Sequence, residues 1–274
     1  MTKSQDNTRS KRVAIIQARM ASSRLPDKVL LDIGGEPMLV RVYRRTQRAR
    51  WVDQVVVATT TDPGDEPIAA LCAEREFPVY RGSAADVLDR YYQAARWFDA
   101  QVIVRITADC PLIDPQVVDS TVAALYGRKI SDLERLCDGH PLRDFAANRL
   151  PPPWKRSYPI GLDTEVCTFQ ALEKAWLEAD QPHQREHVMP YLYEQEGRFR
   201  VVVVDHEPDR GSLRWTVDTP EDLQLVRQIY SRFDNRDDFS WQEALALFEK
   251  EPELAAINAG VRHKQVFEVD ERTS

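Results

Sequence analysis

Short apolar runs and amphipathic stretches alternate along the first part of the chain. RVAIIQA (12–18), QVVVAT (54–59), FPVY (77–80) and QVIVRIT (101–107) are rich in β-branched residues and predict strands. Between them, PMLVRVYRRTQRA (37–49), DEPIAALCAERE (65–76) and AADVLDRYYQAARWF (84–98) place apolar residues at helical spacing. The first of these opens with Pro37, at the position where a helix has no use for an N–H. This alternation predicts an α/β fold with a doubly wound, mostly parallel sheet and right-handed crossovers. Ligands of such sheets sit outside the carboxyl ends of the strands. The loop 19–28, which follows the first strand, falls at that edge.

The pattern changes near Arg128. The stretch DGHPLRDFAANRLPPPWKRSYPIGLD (138–163) has no clear period and contains three consecutive prolines, which predicts an inserted flap or dimerisation lobe over about 128–165. TEVCTF (164–169) then reads as a strand, 170–179 as a helix, and FRVVVVDH (199–206) and LRWTV (213–217) as strands. TPEDLQLVRQIYSRF (219–233) opens like a capped helix, with Thr219, Pro220 and two acids in the first turn. The expected organisation is a disordered tail over 1–11, one domain over 12–258 and a second tail over 259–274, in which QVFEV can pair as a strand.

Composition narrows the function classes. With 274 residues, 43% hydrophobic and 30% charged, the chain suits one large globular domain. Its net charge of −7 argues against a nucleic-acid-wrapping protein, which needs a basic face, and the aromatic-basic stretch 154–158 is too isolated to change that. Cys72, Cys110, Cys137 and Cys167 are scattered without a C-x-x-C pair, so neither a disulfide framework nor a zinc ribbon is expected. Apolar runs are strand-sized and the N-terminus is polar, so the expectation is a cytoplasmic protein with no membrane partner.

Three features carry candidate chemistry. Arg19, Arg24 and Lys28 crowd the loop after the first strand, a charge density suited to an anion or to a solvated surface loop. Neither a phosphate-binding G-x-x-x-x-G-K-[ST] loop nor G-x-G-x-x-G is present. Asp109 and Asp218 each follow a predicted strand end, where a carboxylate either holds a hard cation or caps a turn or helix. HQREH (183–187) matches H-x-x-E-H, a zinc-peptidase signature, but Pro182 and Pro190 leave little room for the helix that would converge His183 and His187.

IIQARMASSRLPDKVL, YRGSAADVLDRYYQAA, VRITADCPLIDP, YPIGLDTEVCTFQALEKA, REHVMPYLYE and LRWTVDTPEDLQLVR, in this order over roughly 12–233, resemble the cytidylyltransferases related to spore coat polysaccharide biosynthesis protein F. More distantly they resemble the acylneuraminate and 3-deoxy-manno-octulosonate cytidylyltransferases. The resemblance implies a nucleotide-diphospho-sugar transferase (Rossmann-like) fold, a homodimer, and Mg²⁺-dependent transfer of CMP from CTP to a sugar, sugar-acid or phosphonate acceptor with release of pyrophosphate. It assigns Arg19, Arg24 and Lys28 to the triphosphate, and Asp109 and Asp218 to the metal. Gln17, Ala18, Thr59, Gly82 and Ser83 fall near base and ribose; Asp163, Glu165, Glu186 and His187 face the acceptor. Arg185, Arg214 and Arg156 are further cations for an acidic acceptor.

The chain departs from that family at Ala21, Asp27 and Ala108, where glycine is common, and at Ile160, where aspartate is common. Glycine permits positive φ and close backbone approach, and an acid at position 27 would repel a nearby phosphate. These departures keep open a second reading, a catalytically weakened nucleotide-binding regulator. The zinc hydrolase stands as a third.

Overall fold

The computed structural model describes residues 10–131, 140–150 and 156–262. The three prolines 151–153, Trp154 and Lys155, most of the first tail and residues 263–274 with QVFEV lie outside these. The predicted alternation is observed as β1 (Arg12–Gln17), a hairpin of β2 (Asp32–Ile33) and β3 (Glu36–Pro37), α1 (Met38–Gln47), β4 (Gln54–Thr60), α2 (Glu66–Glu74), β5 (Val79–Gly82), α3 (Val87–Trp97) and β6 (Val102–Thr107). It continues through α4 (Pro115–Leu125), β7 (Phe145–Ala147), β8 (Glu165–Thr168), α5 (Phe169–Glu178), α6 (Pro182–His187), α7 (Pro190–Tyr193), β9 (Val201–Val203), α8 (Pro220–Arg232) and α9 (Trp241–Lys250).

One seven-stranded sheet has the order β5-β4-β1-β6-β8-β7-β9. β1 pairs in parallel with β4 and β6, Ile15 lying opposite Val56 on one side and Arg105 on the other. Only β8 runs against its neighbours. Along β1, Ala14 and Ile16 face a core shared with α1, α2, α4, α8 and α9, whereas Val13 and Ile15 face one shared with α3, α5 and α7. A central strand covered on both faces needs apolar residues at successive positions, which is why β1 is a continuous run rather than an alternating one.

From β1 the chain steps outward through β4 to β5, then crosses to β6 on β1's other side. The carboxyl ends of β1 and β6 therefore diverge at a topological switch point, where open α/β sheets bind ligands. Ala108 N donates to Gln17 O at 3.1 Å across that point.

Two stretches differ from the sequence expectation. Phe145–Ala147, read as part of the flap, is a buried inner strand, β7. Three apolar residues are too few to show a period. Residues 213–217 were expected as a strand but form only a bridge, Ile160 with Arg214. Their backbone is satisfied elsewhere: Trp215 N donates to Ile160 O at 2.7 Å and Val217 N to Asp109 O at 2.8 Å. The segment crosses the end of β6 and brings Asp218 beside Asp109.

Gly161 makes that crossing possible. Its φ is +107°, and a Cβ there would lie 2.6 Å from Thr216 N. Gly161→Ala is expected to cost about 1–3 kcal/mol of stability. Urea unfolding checks this, and an unchanged midpoint would show that the turn does not pack on Thr216.

Candidate active site

A cavity of about 310 Å³ opens at the switch point. Its first wall is the loop after β1, held from below by Asp65. The buried Asp65 carboxylate accepts from Met20 N at 2.6 Å and from the Thr60 hydroxyl. The loop ends in a 3₁₀ turn at Lys28–Leu30, preceded by Asp27 at φ 56°. Aspartate tolerates this left-handed conformation better than most residues. Asp27 is exposed and does not line the cavity, so its charge does not face an anion there. Ala21, Ala108 and Ile160 do line it.

Lys28 reaches across to the second wall. Its Nζ donates to Asp109 Oδ2 at 3.0 Å, Asp218 Oδ1 at 2.8 Å and Val217 O at 2.9 Å. Burial opposes the ammonium charge, but Asp109 and Asp218 outweigh it and raise the Lys28 pKa. Arg24 and Arg214 reach Asp218 Oδ2 at 3.0 and 2.8 Å. Burial alone would raise the Asp218 carboxyl; Lys28, Arg24 and Arg214 instead hold it below the ordinary carboxylate range.

Of the two roles that sequence left open for Asp218, the capping of α8 is taken by other residues. The cap of α8 is Thr219, whose hydroxyl accepts from Asp222 N, and Asp222 answers as the third residue of the capping box. Asp222 is fully buried and also accepts from Asp218 N at 3.0 Å and from Arg214 Nε at 2.9 Å. Asn258, from the C-terminal segment, donates to Asp222 at 2.8 Å. Asp222 and Thr219 thus do the capping, and the Asp218 carboxylate is left to face the cavity.

The far wall carries the residues assigned to the acceptor. Asp163, Glu165, Glu186 and His187 all line the cavity. Arg105, on β6, pairs with Glu165 and donates to Gln17 Oε1 at 2.9 Å. Arg149 and Arg156 pair with Asp163. The three cations offered for an acidic acceptor are all engaged in the fold: Arg156 with Asp163, Arg214 with Asp222, and Arg185 with Asp86 at 3.0 Å. His183 does not line the cavity and meets Glu194 at 2.6 Å. Cys110 also lines the cavity, and burial, with Asp109 adding, pushes its thiol well up, so it is no ready nucleophile.

Gln17, Ala18, Arg19, Arg24, Lys28, Asp109 and Asp218 converge on this one space, whereas Thr59, Gly82 and Ser83 do not line it. Thr59 is buried at the end of β4, and Ser83 O instead accepts from Arg90. Sequence reasoning missed Arg90, Arg105 and Arg149. A visible signal existed for Arg105, a cation inside the apolar run VIVRIT; Arg90 was hidden in an ordinary amphipathic helix.

Asp109 and Asp218 suit a hard divalent cation. A single ammonium group touches an oxygen of each, which shows that one cation reaches both, and Mg²⁺ takes one or two carboxylates and completes its shell with phosphate and water. Among the described residues no three His, Cys, Asp or Glu side chains are grouped to hold a metal.

A switch-point cavity walled by a cationic loop and paired carboxylates defines a nucleotidyltransferase of the nucleotide-diphospho-sugar transferase fold. The chain belongs to the cytidylyltransferase family, whose profile matches residues 13–262, and is a CTP-dependent nucleotidyltransferase. It is similar to a cytidylyltransferase of Leptospira borgpetersenii, with a TM-score of 0.80 and 31% identity over 93% of this chain and 100% of that one. An uncharacterised protein of Methanocaldococcus jannaschii is 36% identical over 94% of this chain and 99% of its own length. The spore coat polysaccharide biosynthesis protein SpsF of Bacillus subtilis is 30% identical over 88% and 95%. Several 3-deoxy-manno-octulosonate cytidylyltransferases are also relatives.

The Asp218 ion pairs give a pH prediction. Since its folded pKa lies below the ordinary 3.8, the pairs stabilise the fold above that pH, and their contribution is lost as acid titrates the folded carboxylate. In urea unfolding, the stability gap between wild type and Asp218→Asn is expected to be constant near neutrality and to narrow as the pH falls below 3.8. A gap that does not change with acid would count against this assignment.

Proposed function

We propose that the protein transfers CMP from CTP to a sugar, sugar-acid or phosphonate acceptor and releases pyrophosphate, with Mg²⁺ as cofactor. The observation that carries this reading is the meeting of the Arg19–Arg24–Lys28 loop with Asp109 and Asp218 on one switch-point cavity. The names of the relatives, spore coat polysaccharide protein and octulosonate cytidylyltransferase, support a saccharide-type acceptor. The resemblance described for the sequence supports a cytoplasmic homodimer.

An acceptor oxygen attacks the α-phosphorus of CTP in line, and the bond to pyrophosphate breaks. Such a transfer depends on positioning and charge neutralisation, and needs no protein nucleophile. Arg19, Arg24 and Lys28 hold the triphosphate and neutralise the charge that grows on departing pyrophosphate. Asp109 and Asp218 would hold Mg²⁺, which would supply charge neutralisation for the phosphates. Arg214 and Asp222 keep the Asp218 carboxylate turned toward the cavity. Asp163, Glu165, Glu186 and His187 receive the acceptor opposite the loop.

The test is pyrophosphate release from CTP with Mg²⁺ and a panel of sugar, sugar-acid and phosphonate acceptors, with UTP and ATP as controls. Asp109→Asn and Asp218→Asn are each expected to lower turnover by about 10²-fold or more, with folding verified by circular dichroism. Near-wild-type turnover in either variant would remove that carboxylate from the mechanism.

The two histidines are expected to separate in the same assay. His183→Ala retains transfer, because its partner is Glu194 at 2.6 Å rather than a cavity group. His187→Ala raises the acceptor KM more than the CTP KM. One tightly held equivalent of zinc, lost on changing either histidine, would revive the hydrolase reading.

A further inference from the structure

The guanidinium groups around the cavity mostly meet carboxylates: Arg24 meets Asp218, Arg105 meets Glu165, and Arg149 meets Asp163. Arg90, on α3, is different. It lines the cavity with only 1% of its surface exposed. One nitrogen, Nη1, donates to Ser83 O, while Nε has no hydrogen-bond partner among the described residues.

The acids nearest to Arg90 are committed elsewhere. Asp86 accepts from Asp89 N at 2.8 Å and from Arg185 Nε at 3.0 Å. Asp65 accepts from Met20 N at 2.6 Å and from Thr60. Burial weakens the hold of Arg90 on its proton and nearby Arg19 adds to that effect, while Tyr91, Asp65 and Asp86 oppose it. An arginine stays charged nonetheless. A desolvated cation whose neighbouring acids are taken up by other donors is costly to a fold.

The chain makes room for this residue. A Cβ on Gly82 would sit 2.8 Å from Tyr80 Cε1 and 3.1 Å from Arg90 Cγ, so the glycine leaves space that both side chains use. The next residue, Ser83, accepts from Arg90 through its backbone oxygen.

We propose that Arg90 is an oxyanion-binding residue of this cavity. Its guanidinium takes either a phosphate oxygen of the nucleotide or an oxygen of the acceptor's acid group. This rests on the reading that both anions enter the same cavity.

The test is calorimetric titration of inorganic pyrophosphate, CTP and methylphosphonate into wild type, Arg90→Met and Arg90→Lys, with a thermal melt of each free protein. Losing charge-assisted hydrogen bonds is expected to weaken binding about tenfold to a hundredfold. Loss of pyrophosphate and CTP together assigns Arg90 to the triphosphate; loss of methylphosphonate alone assigns it to the acceptor. Free Arg90→Met is expected to melt no lower than wild type, because a buried charge bonded to no carboxylate has been removed.

Unchanged binding of all three probes by Arg90→Met would overturn the proposal. A lower melt with unchanged binding, restored by Arg90→Lys, would likewise make the residue structural. If Arg90→Met does not fold, Arg90→Gln carries the test, since it keeps a donor but not the charge; wild-type affinity for every probe would then overturn it. Should wild type bind pyrophosphate through Arg90 but not CTP, the CMP-transfer reading fails and the anion site stands. Should wild type turn over CTP while every probe binds Arg90→Met unchanged, the anion site fails and that reading stands.

Discussion

The ammonium group of Lys28 ties the loop after β1 to carboxylates 81 and 190 positions away in the chain, Asp109 and Asp218. Bringing two carboxylates together costs Coulomb energy unless a cation lies between them. Lys28 is that cation, and its own burial is offset by the same two groups. The carboxyl end of β6, the segment before α8 and the loop from β1 all depend on this contact for their relative placement. Asp65 fixes the loop from one side, and Asp222 with Arg214 fixes Asp218 from the other.

The cavity is thus a nearly neutral arrangement built from strong opposite charges. Pairing offsets part of the cost of taking these charges out of water, and each pair presents atoms to a charged ligand. Nucleotide and acceptor bring several negative charges, and the cations around the cavity match them. A neutral apolar pocket of the same volume would have no means of holding a triphosphate. The fold provides the place because the switch point leaves a crevice between β1 and β6 that no helix covers.

Local pattern and tertiary context disagree at HQREH. The spacing of His183 and His187 is that of a metal-binding helix, but α6 is six residues long, with Pro182 at its start. Val188 follows at φ 70°. One ring goes to Glu194 and the other lines the cavity. The same spacing thus gives the two rings different surroundings at the ends of a six-residue helix.

The apolar runs by themselves determined β1, β4, β5, β6 and the helices between them, because strands covered on both faces and helices covered on one leave strong local periodicities. They also placed the cationic loop at the ligand edge, since that edge follows from the alternation alone. The sequence did not determine β7, whose three residues are too short for a period, or the path of 213–217, whose hydrogen bonds go to Ile160 and Asp109 rather than to a strand. Nor did it determine which arginines bond to carboxylates and which, like Arg90, line the cavity with a nitrogen that has no partner among the described residues. Arg90, Arg156, Arg185 and Arg214 look alike in sequence. Only the packing of distant segments assigns each its counter-charge, because ion pairing acts through space over a few ångströms and leaves no period in the chain.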